Sequence, residues 1–261
     1  MGTGTTDKTL STTLPMRVAL TCLVRTAAIN AAMTARGMQQ LGLLYVLAPA
    51  LRHLYPDRED RRRAFARYAE HSNTHAFMLP SYAGLLISLE MQIAGKAIPE
   101  ATIATLRQTL ATTLSALGDG FFSGALRTTW ALATICLCLE QHYALAAALA
   151  ALLLVLLFVF RVAGFFYCLR NGIASLGWLR RLDIISWTER IKVFNALLIG
   201  FTLWLMMAEN MASWPWQAQT GLFLFIPLAA WLVGRWHVPR LLLWTLALGF
   251  FILVDTGLVH F

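Results

Sequence analysis

Three polar groups interrupt stretches that are otherwise apolar: Asn73-Thr74-His75, the lone Glu90, and Gly118-Asp119-Gly120 with Arg127 following. Together they offer a carboxamide, a hydroxyl, an imidazole, two carboxylates and a guanidinium, a set rich in both donors and acceptors. An ionised side chain at the centre of a membrane span costs roughly 2.5–3.5 kcal/mol, so such residues face a partner, a water-filled cavity or a ligand. Plainer readings stand beside this one. Asn and Thr are ordinary helix caps, and Asp119 and Arg127, about two helical turns apart, suit a structural ion pair. No nucleophile elbow, phosphate loop, dinucleotide fingerprint or zinc-spaced His/Cys set accompanies them. His53, His71, His142, His237 and His260 have no companions at ligand spacing, and Cys22, Cys136, Cys138 and Cys168 form no CxxC pair. Neither a catalytic residue, a metal nor a cofactor is expected of this chain.

The elements that must carry these groups are helices in a membrane. Of 261 residues, 58% are hydrophobic and 13% charged, against about 25% charged in an ordinary globular chain. The run "YALAAALAALLLVLLFVF" (143–160) holds 18 residues without a charge, long enough to span a bilayer. The pattern predicts an all-α, polytopic integral membrane protein with transmembrane, re-entrant and interfacial helices. The formal charge of +8 does not point to nucleic acid, because Lys and Arg flank apolar runs and no aromatic residues interleave with them. Basic residues beside spans read as cytoplasmic loops.

Along the chain, residues 1–15 read as a disordered tail and 16–261 as a single membrane domain. Residues 17–51 carry Arg17, Arg25 and Arg36, too much charge for a lipid-facing span, and suit interfacial helices. "RHLYPDREDRRRAFARYAE" (52–70) predicts an amphipathic, solvated cytoplasmic helix near 52–72. Residues 76–95 are apolar, and Pro99 suits the first turn of a following helix. The glycines of "SALGDGFFSGALR" (115–127) argue for a broken helix, tolerated at membrane depth only inside protein or beside a cavity. Segments 193–208, 219–234 and 241–259 alternate with basic and Trp-rich loops, which puts the C-terminus outside the cell.

Three blocks in order, "MQQLGLLYVLAPALRHLYPD" (38–57), "NTHAFMLPSYAGLLISLE" (73–90) and "LSALGDGFFSGALR" (114–127), resemble the IID membrane component of the mannose/fructose/sorbose family of sugar phosphotransferase systems. That family shows Asn-Thr-(His/Gln)-Pro-(Phe/Tyr)-Met and then Gly-Asp-Ser-Leu-Phe-Trp-Gly-Thr-Leu-Arg-Pro. Here Ala76 stands for the proline of the first motif. In the second, Gly120 replaces serine, Ser123 tryptophan and Thr128 the last proline. An acidic pair is reduced to Glu90 followed by Met91, and the region 170–219 is shortened.

The resemblance implies a subunit of the bacterial inner membrane, paired with a IIC chain in a hetero-oligomer that conducts a hexose-type sugar. Cytoplasmic IIA and IIB proteins would pass the phosphoryl group by their own histidines. His75 would then bind or gate, and no phosphohistidine belongs to this chain. Asn73, Thr74, His75, Glu90, Asp119 and Arg127 are the expected substrate-binding residues, since a neutral sugar needs fixed donors and acceptors. Membrane lipid is a further expected contact and nucleic acid is not. The altered motifs leave a second possibility, a transport-inactive scaffold or regulatory receptor of a similar cascade.

Overall fold

In the computed structural model, residues 13–207 are described, together with isolated positions between 216 and 245. Apart from those positions, the tail at 1–12, the apolar segments 219–234 and 241–259, the Trp-rich loop and the C-terminal orientation lie outside the described residues. Nine α-helices are found among the described residues: α1 (Met16–Arg25), α2 (Gln40–Leu54), α3 (Arg58–Ala66), α4 (Leu79–Ala94), α5 (Ala101–Gly118), α6 (Arg127–Leu139), α7 (Tyr143–Asn171), α8 (Ser175–Arg181) and α9 (Ile184–Met207). The chain divides into two compact units. One holds residues up to Thr128 with Ala147–Glu189, and the other Thr129–Ala146 with the described residues from Arg190 onward.

In the first unit α4 is the central element, buried without a break from Leu79 to Glu90. A helix apolar around its whole circumference has no solvent face to offer, so it becomes core. Its approach to α7 depends on small residues. A Cβ on Gly84 would fall 2.4 Å from the Phe165 carbonyl oxygen, and one on Gly164 would fall 2.3 Å from Ser81 Oγ. Backbones meet this closely in membrane bundles through small residues at the crossing. The rest of α7 is different: Leu152, Leu154, Val155, Leu156 and Phe158 are exposed. With 29 residues, α7 is about 43 Å long, enough to cross a hydrocarbon core of about 30 Å.

The basic stretch 52–70 is not one helix. α2 runs to Leu54, the chain turns at Tyr55-Pro56, and α3 starts afresh with Asp57 as its cap. The Asp57 carboxylate accepts from the amides of Glu59 and Asp60, which holds its acid below the usual aspartate value. The glycine-rich stretch also differs from expectation. The helix does not break at 118–124 but continues as a π-helix over Asp119–Leu126 and into α6. Widening to i→i+5 bonds absorbs the irregularity, and such bulges are frequent at functional sites. The helical runs 101–139 and 143–177 are both long and apolar enough to cross a membrane.

In the second unit, α6 and α9 are joined by polar contacts. Thr129 Oγ1 donates to Asn195 Oδ1 at 2.7 Å, and Cys136 Sγ lies 3.1 Å from Thr202 Oγ1. Cys136 thus behaves as a small buried residue.

Candidate functional site

The stretch 72–78 enters α4 as an irregular segment secured from several sides. Gln39 accepts from the Thr74 amide at 2.9 Å and donates through Nε2 to Asn30 Oδ1. The Gln39 amide itself donates to the Ser72 carbonyl. Arg161, from within α7, donates to the Ala76 carbonyl at 2.6 Å and to Thr26 Oγ1 at 3.1 Å. A guanidinium inside an apolar helix is thereby committed to two oxygens on two other segments. Sequence reasoning passed over Arg161 because it closes an 18-residue apolar run. The signal was there, since the apolar pattern resumes as "VAGFFYCL" and puts the charge inside the helix.

Capping is not what Asn73 and Thr74 do. The first amides of α4 are taken by the His75 carbonyl, which accepts from Met78 and Leu79, and the helix has no side-chain cap. The Asn73 carboxamide makes no hydrogen bond among the described residues, and Thr74 Oγ1 is buried without a partner there. His75 is the best-held member. Its Nδ1 accepts from the Phe77 amide at 3.3 Å, so the neutral ring carries its proton on Nε2 and donates it to Ser123 Oγ at 3.1 Å. The ring stacks on Phe122 at 5.5 Å and 11°. Gly118 makes this placement possible, because a Cβ there would fall 2.3 Å from His75 Cβ.

The structure therefore brings His75 of the Asn-Thr-His group against Gly118, 43 residues on, at the start of the π-helix. Asp119 and Arg127 are exposed, and both lie close enough to His75 for their charges to act on its imidazole with opposite sign. Among the described residues no ion pair joins the two to each other, so the structural-pair reading does not hold there. Asp119 accepts only a 3.3 Å hydrogen bond from Ser115 Oγ among the described residues.

Glu90 is elsewhere. It lies about 16 Å further along α4 from Leu79 at 1.5 Å per residue, fully buried. Arg67 grips both its oxygens, Nε to Oε1 at 3.1 Å and Nη2 to Oε2 at 2.7 Å. Tyr68 donates to Oε1 at 2.8 Å and Tyr55 to Oε2 at 2.6 Å. Burial and the adjacent carboxylate push both phenols well up, so each stays a protonated donor. Burial works against the charge on Arg67, but its bonds to Glu90 and the carboxylate's charge outweigh this and hold it on. Arg67 also reaches Glu100 at 2.8 Å. Tyr55, Arg67 and Tyr68 are partners that residue type alone did not single out.

Comparison with known proteins bears on the family and the fold. A family model described as "PTS system mannose/fructose/sorbose family IID component" matches residues 14–216. The mannose-specific EIID component of Escherichia coli (strain K12) is 35% identical over 96 residues, 36% of this chain and 34% of that protein. The fructose permease IID component of Bacillus subtilis (strain 168) is 30% identical over 91 residues, 34% of this chain and 33% of that one. The chain thus spans about a third of the length of these relatives in each alignment. Two solved structures share the fold at 20% identity, each match covering 94% of this chain and 96% of theirs. One is titled "Structure of membrane protein", with a TM-score of 0.69. The other is the mannose transporter ManYZ in complex with microcin E492, with a TM-score of 0.56. The protein is membrane-embedded, and with the family model matching most of its length, the chain belongs to the mannose/fructose/sorbose family of phosphotransferase-system IID components.

Proposed function

We propose that this chain is the IID membrane subunit of a phosphoenolpyruvate-dependent sugar phosphotransferase system and forms, with a IIC partner, the pathway for a hexose-type sugar. The observation that carries the reading is the Asn73 carboxamide, unbonded among the described residues on a segment that is otherwise tightly held. A sugar hydroxyl both donates and accepts, and a carboxamide answers both needs. Asp119 adds acceptors and Arg127 donors, while His75 Nε2–H exchanges its bond to Ser123 for one to the sugar. The relatives' names, mannose-specific and fructose permease, support the hexose class. Glu90, with both oxygens occupied, is assigned to holding the fold rather than the sugar. The phosphoryl group travels on the histidines of cytoplasmic IIA and IIB proteins, so His75 binds or gates. The subunit resides in the bacterial cytoplasmic membrane, its basic loops on the cytoplasmic side and its C-terminus outside.

Uptake of radiolabelled hexose by cells co-expressing the IIC partner and the soluble components tests this. Transport should require both membrane chains. Asn73→Ala and Asp119→Ala should abolish it while the variant still co-purifies with IIC. Normal uptake by both variants would remove these residues from the pathway. A wild-type pair that assembles but accumulates no sugar would favour the scaffold reading, which the altered Gly-Asp motif motivates.

A further inference from the structure

The basic residues around α3 fall into two groups. Arg63 pairs with Asp60, Arg67 with Glu90 and Glu100, and Arg107 with Glu70. Asp57 is committed to capping α3. Asp60, Glu70, Glu90 and Glu100 are thus paired, while Arg52, Arg58 and Arg62 pair with no carboxylate among the described residues. These three, with Arg61, Glu59 and Phe65, line an open hollow of about 620 Å³ between the end of α2 and α3. Arg61 is fixed at its edge by bonds to the Tyr55 and Pro56 carbonyls. Four guanidiniums facing one carboxylate form a site for a multiply accepting anion, because each planar fork matches two phosphate oxygens.

A second feature tells which anion. On α2 the exposed positions are Leu41, Tyr45 and Arg52, with Pro49 partly exposed between them. Spacings of four, four and three place them in one stripe, about 16 Å long. Leu41 and Tyr45 are each 49% exposed, the latter although Arg25 lies over its ring. α1, packed on α2, adds Met16, Leu20 and Val24 to the exposed apolar surface. A soluble phosphate or an acidic protein loop has no use for an apolar stripe ending at a basic hollow. A phospholipid matches both parts.

We propose that this hollow holds the headgroup phosphate of an anionic phospholipid whose acyl chain lies along the Leu41–Tyr45–Pro49 stripe of α2. Basic pockets on the cytoplasmic side of membrane bundles bind anionic headgroups in this way. The lipid would fasten the α2–α3 corner to one leaflet. The inference stands on α2 and α3 alone and does not depend on the sugar reading.

Native mass spectrometry of the detergent-purified full chain, titrated with dioleoylphosphatidylglycerol or dioleoylphosphatidylcholine, tests the proposal. The wild type should retain phosphatidylglycerol in preference to phosphatidylcholine, and inorganic phosphate at equal concentration should not displace it. The triple variant Arg52→Gln/Arg58→Gln/Arg62→Gln should bind phosphatidylglycerol about a hundredfold more weakly, from about tenfold or less per arginine near a membrane surface. The corresponding triple lysine variant should stay within severalfold of wild type, and Arg36→Gln, outside the hollow, should not change retention. Circular dichroism and gel filtration check that the variants fold. Equal retention of the two lipids by the wild type overturns the proposal whether or not the glutamine variant folds. Displacement by inorganic phosphate, or undiminished retention by a folded glutamine variant, overturns it equally.

Discussion

At one end of α4, Glu90 has four hydrogen bonds on two oxygens, from an arginine and two tyrosines that are all buried or nearly so. At the other end, Asn73 has none among the described residues, and Asp119 has one long one. Both ends are polar intrusions in an apolar unit, and by residue type they look alike. The difference lies in completion. A carboxylate whose lone pairs are filled by protein has nothing left to offer a ligand, whereas an amide held on a rigid segment without a partner does. Asn73 is half-buried and Asp119 exposed, so neither is costly to leave without a protein partner, and both stay open to a ligand, as the proposed function requires.

The largest effect should come from breaking the complete end. Glu90→Ala leaves the nearly buried Arg67 guanidinium with Glu100 and the Tyr55 hydroxyl, and takes the acceptor from the buried Tyr68 hydroxyl. Removing one partner of a buried pair costs about 3–5 kcal/mol. Thermal unfolding of the purified chain should show a large drop in midpoint or a failure to fold. If Glu90→Ala unfolds at the wild-type temperature, the closed cluster is not what holds α2, α3 and α4 together.

Arg161→Gln comes next. It removes a charged donor from the Ala76 carbonyl and Thr26 Oγ1, a loss of about 1.5–3 kcal/mol for bonds to a charged group. Its signature is mixed, with a moderate loss of stability and a larger loss of sugar uptake, because the freed segment carries Asn73 and His75. Stability loss with uptake per folded molecule unchanged would show that the segment needs no anchor from α7.

Gly118→Ala should cost about 1–3 kcal/mol as overpacking, since the new methyl meets His75 Cβ. The pair Gly118→Ala/His75→Gly should recover most of that steric cost relative to His75→Gly alone, because glycine at 75 removes the Cβ that the new methyl strikes. No recovery at all in the double variant would place the steric conflict elsewhere.

How much of this was legible beforehand follows from the kind of information each feature needs. The helical membrane fold could be read because apolar runs of 18 residues are a local property. The contact of His75 with 118–123 was accessible only as motif order, since nothing in either stretch specifies the other; it rests on Gly118 lacking a side chain. The fate of Glu90 was not legible, because its partners are ordinary residues of a basic stretch whose break at Tyr55-Pro56 sets their direction. The π-helix was missed for a related reason. Glycines at 118, 120 and 124 signal a break when helix propensity is weighed alone, but Phe122 of the widened turn packs on His75, a contact from outside the stretch.

Asn73→Ala should have the smallest effect on stability and so sharpens the comparison most. The side chain makes no hydrogen bond among the described residues, so truncation should change stability by no more than about 0.5 kcal/mol, as for substitutions away from bonded features. Uptake should nevertheless be lost. Asn73→Asp separates the possible reasons. It keeps the size and one acceptor but removes the donor, and it adds a negative charge. If a sugar hydroxyl needs the donor, the aspartate variant transports no better than alanine. If transport survives in Asn73→Asp, the amide's role is acceptance alone, and the missing donor must come from Arg127 or His75. If Asn73→Ala instead lowers the unfolding midpoint as far as Glu90→Ala, the amide is a structural group after all, and the two ends of α4 differ only in how their bonds are made.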